Sequence, residues 1–222
     1  MPKSIYIDIG SSFTKIKSAQ KVTIIDNHFF SMPSFERNCD IFVSCVTDKL
    51  LKCLPENVKM LSAEKSYKSL HNGYENPVEL GVDRWLAMIA GYEITKGGGF
   101  IVIDAGTAIT VDIVDHECRH SGGYILPGLR KTLNDFMNFN SNLELVSTLP
   151  GRNTIEAWTN GVLSMISFSL HGLVSENMKL NDYQVLLTGG DASIISKHIS
   201  FPVDKYENLV LDGLEYYDKS MG

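Results

Sequence analysis

Two apolar stretches of the chain share one pattern of hydrophobic and polar positions. Residues 4–14 (SIYIDIGSSFT) can be laid over residues 100–110 (FIVIDAGTAIT), with matching isoleucine, aspartate, glycine and final threonine. A short apolar run bounded by turn residues is typical of a buried strand, and glycine marks the turn. Each stretch therefore predicts a buried strand that ends in aspartate, a turn, and a second strand, which together form a β-hairpin.

Helical spacing of apolar residues appears in two other places. It follows Asp83 directly, which predicts a helix beginning there, and it extends over residues 154–178, which predicts a long helix. Three glycines at 97–99 come after the first of these patterns and are typical of a helix stop or a flexible connection. We therefore expect two domains, residues 1–100 and 101–222.

Two halves that start with the same hairpin predict a duplicated ribonuclease-H-like fold of the α/β class, with the active site in the cleft between the halves. The chemistry of the hairpins suits phosphate: glycine lets the backbone approach an anion, serine and threonine donate hydrogen bonds, and aspartate holds a cation. The alternative is that Asp-x-Gly only marks a turn. The sequence contains neither GxxxxGK[ST] nor GxGxxG, so the commoner phosphate-binding loops are absent.

Composition and charge narrow the function. The 222 residues carry 20 Lys and Arg against 26 Asp and Glu, a formal net charge of −6, which argues against a nucleic-acid surface. The first residues lack the apolar core of a signal peptide, and no stretch approaches the roughly 20 apolar residues of a membrane-spanning helix. The four cysteines form no CxxC pair, and reduced thiols are typical of the cytoplasm. We therefore expect a cytoplasmic protein that binds neither nucleic acid nor membrane.

The segment of residues 74–85 (YENPVELGVDRW) carries further candidate chemistry. Asp83 lies at the predicted start of a helix, where aspartate is a common N-cap. A carboxylate beside Arg84 at a helix N-terminus is equally well placed to orient a hydroxyl group or to help bind an anionic substrate. Local pattern alone leaves both interpretations open.

Taken together, these motifs resemble those of type III pantothenate kinases, which belong to the acetate and sugar kinase, Hsc70 and actin superfamily. The resemblance runs from about residue 4 to residue 214 and rests on five motifs in the family's order and spacing. They are Asp8-x-Gly10, Gly81-Val-Asp83-Arg84-Trp85, Asp104-Ala-Gly106-Thr107-Ala-x-Thr110-x-Asp112, Gly122-Gly-Tyr-Ile-Leu-Pro127-Gly128 and Leu187-Thr-Gly-Gly-Asp191-Ala192.

The resemblance implies ATP-dependent phosphorylation of pantothenate, the first step of coenzyme A biosynthesis, by a homodimer. It implies ATP, magnesium and a monovalent cation (potassium or ammonium) as cofactors. Asp83 matches the catalytic base, Asp104 the ligand of the monovalent cation, and Asp8 a ligand of magnesium, directly or through water. The implied substrate-binding residues are Tyr74, Gly81, Val82, Asp83, Arg84 and, across the dimer interface, Thr154. The implied ATP-binding residues are Asp8, Ile9, Gly10, Ser11, Ser12, Phe13, Thr14, Lys15 and Thr107.

One position departs from the family pattern, because Ser11 stands where the family usually has asparagine. Two alternatives to a pantothenate kinase stay open: a nucleotide-binding accessory factor for transcriptional regulation on the same fold, and a kinase for another small alcohol or acid. The alternating residues His116, Cys118 and His120 suggest either a metal site or, as we expect, a solvated hairpin.

Overall fold

The computed structural model describes residues 4–19, 21–31, 39–47, 50, 52, 54–55, 58–136, 147–178 and 182–222. The chain divides into two compact units. Unit 1 comprises Met1–Gly97 and Asn208–Gly222, and unit 2 comprises Gly98–Glu207.

Each unit is built on a five-stranded mixed sheet. The sheet of unit 1 has the order β3-β2-β1-β4-β5 and that of unit 2 the order β10-β9-β8-β11-β12. The strands of unit 1 are β1 (Ile5–Ile9), β2 (Phe13–Ser18), β3 (Lys21–Asp26), β4 (Ile41–Cys45) and β5 (Val58–Met60), with a separate ribbon of β6 (Ser66–Tyr67) and β7 (Leu70–His71). The strands of unit 2 are β8 (Phe100–Ala105), β9 (Ala108–Val114), β10 (His120–Pro127), β11 (Gln184–Thr188) and β12 (Asp204–Lys205).

The α-helices are α1 (Val82–Thr95), α2 (Leu129–Phe136), α3 (Thr154–Met178), α4 (Ala192–Ile195) and α5 (Leu209–Ser220). The periodic patterns predicted two of them well: α3 spans the predicted residues 154–178, and α1 begins one residue before Asp83. Short 3-10 helices cover Asn27–Phe29 and Pro77–Glu79.

The two sheets have the same internal arrangement. In each, an antiparallel hairpin comes first, and a later strand then pairs in parallel with the first strand of that hairpin: β4 with β1, and β11 with β8. Both first strands lie in the middle of their sheets and are almost wholly buried, as continuous apolar runs require. The common strand order agrees with the predicted duplication of an α/β unit.

The last helix packs in unit 1, although it follows unit 2 in the chain. A Cβ atom built on Gly213 of α5 would overlap the backbone carbonyl of Leu86 in α1, so glycine allows close contact of the two helices. Lys17 of β2 also reaches α5, with Nζ 2.8 Å from Asp212 Oδ1 and 2.7 Å from Glu215 Oε2. These units therefore differ from the predicted division 1–100 and 101–222 in the assignment of residues 208–222.

Unit 2 encloses its own apolar core. Strands β8, β9 and β11 contribute alternate side chains such as Ile103, Val111 and Leu187, and helix α3 covers them with Leu163 and its neighbours. Within the described residues, no helix combines the length and the hydropathy needed to cross a membrane.

Candidate active site

The hairpin of β1 and β2 forms the first candidate element. Its last paired residues are Ile9 and Thr14, and the loop is closed by the Gly10 amide, which donates to the Phe13 carbonyl at 3.0 Å. A Cβ atom on Gly10 would lie 3.1 Å from that same carbonyl oxygen, a distance tighter than most side chains tolerate. Glycine therefore makes a short loop possible, and Ser11 at its tip is exposed.

Asp8 lies one residue before the end of β1 and is 9% exposed. It pairs across the hairpin with Lys15, and residues directly opposite each other in an antiparallel pair share one face of the sheet. An acidic and a basic side chain therefore extend from the same face of the sheet at the base of the loop. This pair of charges suits a magnesium–phosphate complex, in which the metal needs an anionic ligand and the phosphate a cationic one.

The hairpin of β8 and β9 in unit 2 repeats this arrangement with one residue fewer. Its Gly106 amide donates to the Ala108 carbonyl at 3.0 Å, and Asp104 pairs with Thr110, whereas Asp8 pairs with Lys15. The overlay of the two sequence stretches matched Thr110 with Thr14. Strand pairing shows instead that Thr110 occupies the position of Lys15, since each lies opposite the aspartate of its hairpin. The extra residue of the first loop causes this shift, and because side chains alternate along a strand, it places Thr14 on the opposite face.

Asp104 lies against glycine backbone. A Cβ atom on Gly189, whose φ is +101°, would lie 2.5 Å from Asp104 Oδ1 and 2.5 Å from the Ala105 carbonyl oxygen. Gly128 is equally close to the backbone of Gly106 and Thr107. Two glycine-containing segments therefore pack around the tip of the second hairpin, and Thr107 at that tip is exposed.

Asp191, in the segment after β11, makes hydrogen bonds near the tip of the second hairpin. Its amide donates to the Ala105 carbonyl at 2.9 Å, and its buried carboxylate accepts from Arg130 Nε at 2.6 Å. The side chain of Arg130 is nevertheless 59% exposed. Asp191 thus hydrogen-bonds to both β8 and α2. These bonds hold the segment after β11 close to the tip of the second hairpin and to the start of α2.

Asp83 occupies the first turn of α1, whose N-cap is Gly81. Asp83 Oδ1 accepts from the Arg84 amide at 2.8 Å, and a Cβ atom on Gly81 would lie 2.6 Å from the same oxygen. The carboxylate is therefore folded over the start of the helix, although the N-cap position belongs to another residue. The side chain remains partly exposed.

Arg84, the residue after Asp83, contacts Tyr74. Arg84 is only 6% exposed, its Nη1 donates to Tyr74 Oη at 2.9 Å, and its guanidinium carbon lies 5.6 Å from the centre of the tyrosine ring. Asn72 holds the tyrosine in place, since its Oδ1 accepts from the Tyr74 amide at 3.0 Å. The structure thus joins two predicted substrate-binding residues by direct contact.

Thr154 is the first residue of α3 in unit 2 and is exposed. The helix start is capped from the preceding residue, since Asn153 Oδ1 accepts from the Glu156 amide at 2.9 Å. Three apolar residues of this helix are also exposed: Ile155 by 47%, Met165 by 48% and Phe168 by 69%. Thr154 thus begins a helix that carries exposed apolar side chains.

The donor set suits a hard cation. Carboxylate and carbonyl oxygens are the ligands that magnesium prefers, and kinases usually hold it with one or two carboxylates and the substrate phosphates. Asp8 and Asp104 each lie one residue before the end of a strand that leads into a glycine turn. Among the described residues, no group of three or more His, Cys, Asp or Glu side chains is placed to hold a metal ion.

His120 is buried, although the sequence predicted a solvated hairpin there. Its side chain is wholly buried and lies with Nε2 3.0 Å from Asp112 Oδ1, which is also buried. His116, by contrast, is exposed and stacks on Tyr183 with 5.3 Å between ring centres. The predicted solvated hairpin is therefore wrong for His120, because this residue pairs with Val114, a buried residue of β9, and so lies on the same sheet face as Asp112, two residues away on that strand.

Comparison with known proteins identifies the family. The family model described as type III pantothenate kinase matches residues 7–176. Type III pantothenate kinases from Chromohalobacter salexigens and Cellvibrio japonicus are 38% and 36% identical over 64% and 71% of this chain, and the matches span 54% and 67% of those proteins. That of Acinetobacter baylyi is 28% identical over 97% of both chains.

Solved structures show the same fold. A Campylobacter jejuni protein described as a Baf family transcriptional activator aligns with a TM-score of 0.70, at 24% identity and 98% coverage of both chains. The activator of 2-hydroxyisocaproyl-CoA dehydratase from Clostridium difficile, solved with ADPNP, aligns with a TM-score of 0.60 at 10% identity, over 99% of this chain and 96% of its own. Such identities show the fold alone, and they confirm the predicted duplicated α/β architecture.

The family match and the curated relatives do not favour the alternative of an accessory factor, since both are described as kinases. A kinase of this family uses ATP and a divalent metal. With two Asp-x-Gly hairpins and the Gly81–Arg84 segment in place, the chain belongs to the type III pantothenate kinase family, the enzymes that phosphorylate pantothenate with ATP at the first step of coenzyme A biosynthesis.

Proposed function

We propose that this chain transfers the γ-phosphoryl group of ATP to the hydroxyl group of pantothenate, with Asp83 as the base that receives the hydroxyl proton. The observation that carries the proposal is the position of Asp83. Its carboxylate is fixed by the Arg84 amide at 2.8 Å over Gly81, and it adjoins the buried pair of Arg84 and Tyr74. A fixed carboxylate next to a cation can orient a hydroxyl group of an anionic substrate.

Asp83 acts mainly by orientation. An ordinary aspartate has a pKa of about 3.9, far below that of an alcohol, so it accepts the proton only late in the transfer. Phosphoryl transfer depends chiefly on positioning and on neutralising charge, and general-base assistance adds roughly 10²–10⁴-fold to the rate. Tyr74, Gly81, Val82 and Arg84 form the remainder of the pantothenate site in unit 1.

ATP phosphates are bound, in this proposal, by the loop from Asp8 to Lys15. The amides and hydroxyls of Ser11, which is exposed, and of Ser12, which is partly exposed, donate to phosphate oxygens, Lys15 supplies a positive charge, and Asp8 holds magnesium. Magnesium, when bound, neutralises the charge that develops on the phosphates. Ile9, which is wholly buried, contributes through its backbone.

Thr107 of unit 2 provides a further contact to ATP, and Asp104 holds the monovalent cation, potassium or ammonium. Support for these roles comes from the tip of the second hairpin, where Thr107 is exposed and the Asp104 carboxylate lies against the backbone of Gly106 and Gly189. Carboxylate and backbone oxygens are suitable ligands for a hard cation. The cytoplasm, where ATP is abundant, is the expected location of the reaction.

The enzyme acts as a homodimer in which Thr154 reaches the pantothenate site of the partner subunit. The exposed apolar residues on α3 support this, because Met165 and Phe168 lie on one face of the helix, one turn apart. Apolar surface of this kind is typical of an interface. Thr154 at the start of the same helix would then lie at the edge of the contact.

The first experiment measures ADP release by the purified protein with ATP, magnesium and pantothenate, in potassium and again in sodium. Pantothenate-dependent turnover that requires potassium supports the reaction and the monovalent cation site together. Turnover that is equal in both salts would reject the role of Asp104. A folded protein without turnover in either salt, or one that turns over only another alcohol, would reject the proposed reaction.

Mixed dimers test Thr154. An Asp83→Asn subunit and a Thr154→Ala subunit, each of low activity by itself, are unfolded together, refolded and assayed. If Thr154 acts across the interface, the mixed dimer contains one site with both residues intact, and activity rises above that of either variant. If Thr154 acts within its own subunit, no site is intact and mixing gives no gain. A monomer in sedimentation would also reject the dimer.

A further inference from the structure

Asn27 contacts the first hairpin, although the sequence analysis gave it no role. It begins the 3-10 helix that follows β3, so it comes from a different part of the chain than the loop from Asp8 to Lys15. Its side chain is partly buried. Asp26, the residue before it, caps the same 3-10 helix by accepting from the His28 amide at 2.9 Å, which fixes the backbone at Asn27.

Three hydrogen bonds join Asn27 to this loop. Its Nδ2 donates to the Gly10 carbonyl at 2.8 Å, and its Oδ1 accepts from Thr14 Oγ1 at 2.7 Å. Its backbone amide donates to the Ser12 carbonyl at 3.0 Å. The three contacts fall at the start, the middle and the end of the loop, and they use both the donor and the acceptor of the carboxamide.

The directions of these bonds matter for anion binding. Two carbonyl oxygens of the loop, those of Gly10 and Ser12, are engaged by Asn27 and are held away from a phosphate. In a trans peptide, the carbonyl of one residue and the N–H of the next residue point in opposite directions. Because Asn27 holds the carbonyls of Gly10 and Ser12, the N–H groups of Ser11 and Phe13 are fixed and point away from Asn27. Preorganised amides bind an anion with less loss of conformational entropy than a mobile loop.

Thr14 takes part in the same network. It is wholly buried, and its hydroxyl donates to Asn27, so this hydroxyl is directed toward Asn27. The resemblance placed Thr14 among the residues that bind ATP. The geometry gives it an indirect part, in which it orients the carboxamide that holds the loop.

We infer that Asn27 is a positioning residue that holds the phosphate-binding loop in the conformation that accepts the ATP phosphates, with Thr14 as its partner. The inference rests on the proposed function of that loop. It also bears on Ser11, which stands where the family usually has asparagine: in this chain a carboxamide reaches the loop from the end of β3.

The test compares Asn27→Ala, which removes both side-chain bonds, and Thr14→Val, which removes one, with Asn177→Ala as control. Asn177 donates a single bond to the Leu173 carbonyl at 2.7 Å within α3 and lies outside the proposed machinery. Each side-chain bond is worth about 1 kcal/mol, and about 1.4 kcal/mol changes an equilibrium tenfold. We expect the KM for ATP to rise roughly thirtyfold in Asn27→Ala, which loses two bonds, and roughly fivefold in Thr14→Val, which loses one.

The KM for pantothenate should stay within twofold in both variants, since loss of folded protein alone lowers turnover without changing either KM. The double variant should resemble Asn27→Ala, because two residues that act as one unit are not additive. An unchanged KM for ATP in both variants, equal rises in both KM values, or the same effect in Asn177→Ala would overturn the inference.

Direct binding of ATP separates this inference from the proposed function. If the wild-type protein binds ATP in equilibrium titration but does not phosphorylate pantothenate, the proposed function fails. The Kd for ATP of the variants then decides the role of Asn27, with the same expected rises of roughly thirtyfold in Asn27→Ala and roughly fivefold in Thr14→Val. If the wild-type protein does not bind ATP, both the function and the role of Asn27 are rejected.

Discussion

Two adjacent glycines after β11 offer a sharp test of how the second hairpin is held. Gly189 has a φ of +101°, and a Cβ atom there would lie 2.5 Å from the carbonyl carbon and oxygen of Ala105 and from Asp104 Oδ1. A Cβ atom on Gly190 would meet nothing within 4 Å. Gly189→Ala should therefore be harmful, and Gly190→Ala serves as its matched control.

The expected cost has two parts. A residue with a side chain in this region of positive φ costs roughly 1–3 kcal/mol. Forcing a methyl group against the backbone, which cannot rotate away as a side chain can, adds roughly 1–3 kcal/mol. Because about 1 kcal/mol lowers the melting temperature of a chain of this size by 2–4 °C, the summed cost of roughly 2–6 kcal/mol should make Gly189→Ala melt roughly 4–24 °C below the wild type. Gly190→Ala should stay within about 3 °C of it.

The assay combines thermal melting, followed by circular dichroism, with ADP release at a temperature where both variants are folded. Since the new methyl group also displaces the Asp104 carboxylate, Gly189→Ala should require a higher potassium concentration for half-maximal activity. Melting temperatures of the two variants within 2 °C of each other would refute the packing argument. A large loss of stability with an unchanged potassium requirement would refute the role of Asp104 while leaving the packing intact.

Three further outcomes follow from single contacts. Asp83→Asn keeps an oxygen that can accept from the Arg84 amide, so the melting temperature should be nearly unchanged while kcat falls roughly 10²–10⁴-fold; full activity in steady-state assays would rule out the base. Tyr74→Phe removes the acceptor of the 2.9 Å bond from Arg84 Nη1. The loss of about 0.5–1.5 kcal/mol should raise the KM for pantothenate about three- to tenfold and leave the KM for ATP unchanged. A raised KM for ATP with an unchanged KM for pantothenate would place Tyr74 outside the pantothenate site. Burial, and then the hydrogen bond to Glu64, raise the pKa of Tyr217 from 10.0 to about 12. The unfolded chain then loses this proton first, so the stability that Tyr217 adds over Tyr217→Phe should be complete below pH 10 and disappear as the pH rises to 12. Urea unfolding of both proteins at pH 8 and pH 11 measures this, and an equal stability difference at the two pH values would contradict the raised pKa.

Local sequence pattern was sufficient for much of the fold. The apolar runs that end at Asp8 and Asp104 became central strands of two sheets, because a strand buried on both faces must be apolar at every position. The periodicity of residues 154–178 gave the full length of α3, because one face of a helix repeats every three to four residues. The Gly81–Arg84 segment was recognised from its residue types, which are a local property of the chain.

Contacts that are distant in the sequence had to come from the tertiary structure. Strand pairing decided which residues of the two hairpins are equivalent. Asp8 lies opposite Lys15, whereas Asp104 lies opposite Thr110. The overlay of the two sequences contained no gap for the extra residue of the first loop, so it matched Thr110 with Thr14. His120 was expected in solvent and is instead buried against Asp112. It pairs with the buried Val114 of β9, and the local pattern of residues 116–120 does not show which residue of β9 it will face.

The sequence by itself determined which elements form and which residue types could do chemistry, since both depend on the order of neighbouring residues. Only the tertiary structure decided which partners those residues find. Asn27 meets Gly10 and Thr14 after the chain has passed through β2 and β3, and α5 returns to pack on α1 in unit 1 after the whole of unit 2. Such contacts form because burial of apolar surface brings remote segments together, and no local pattern encodes which of the many possible partners will lie within a hydrogen bond's length.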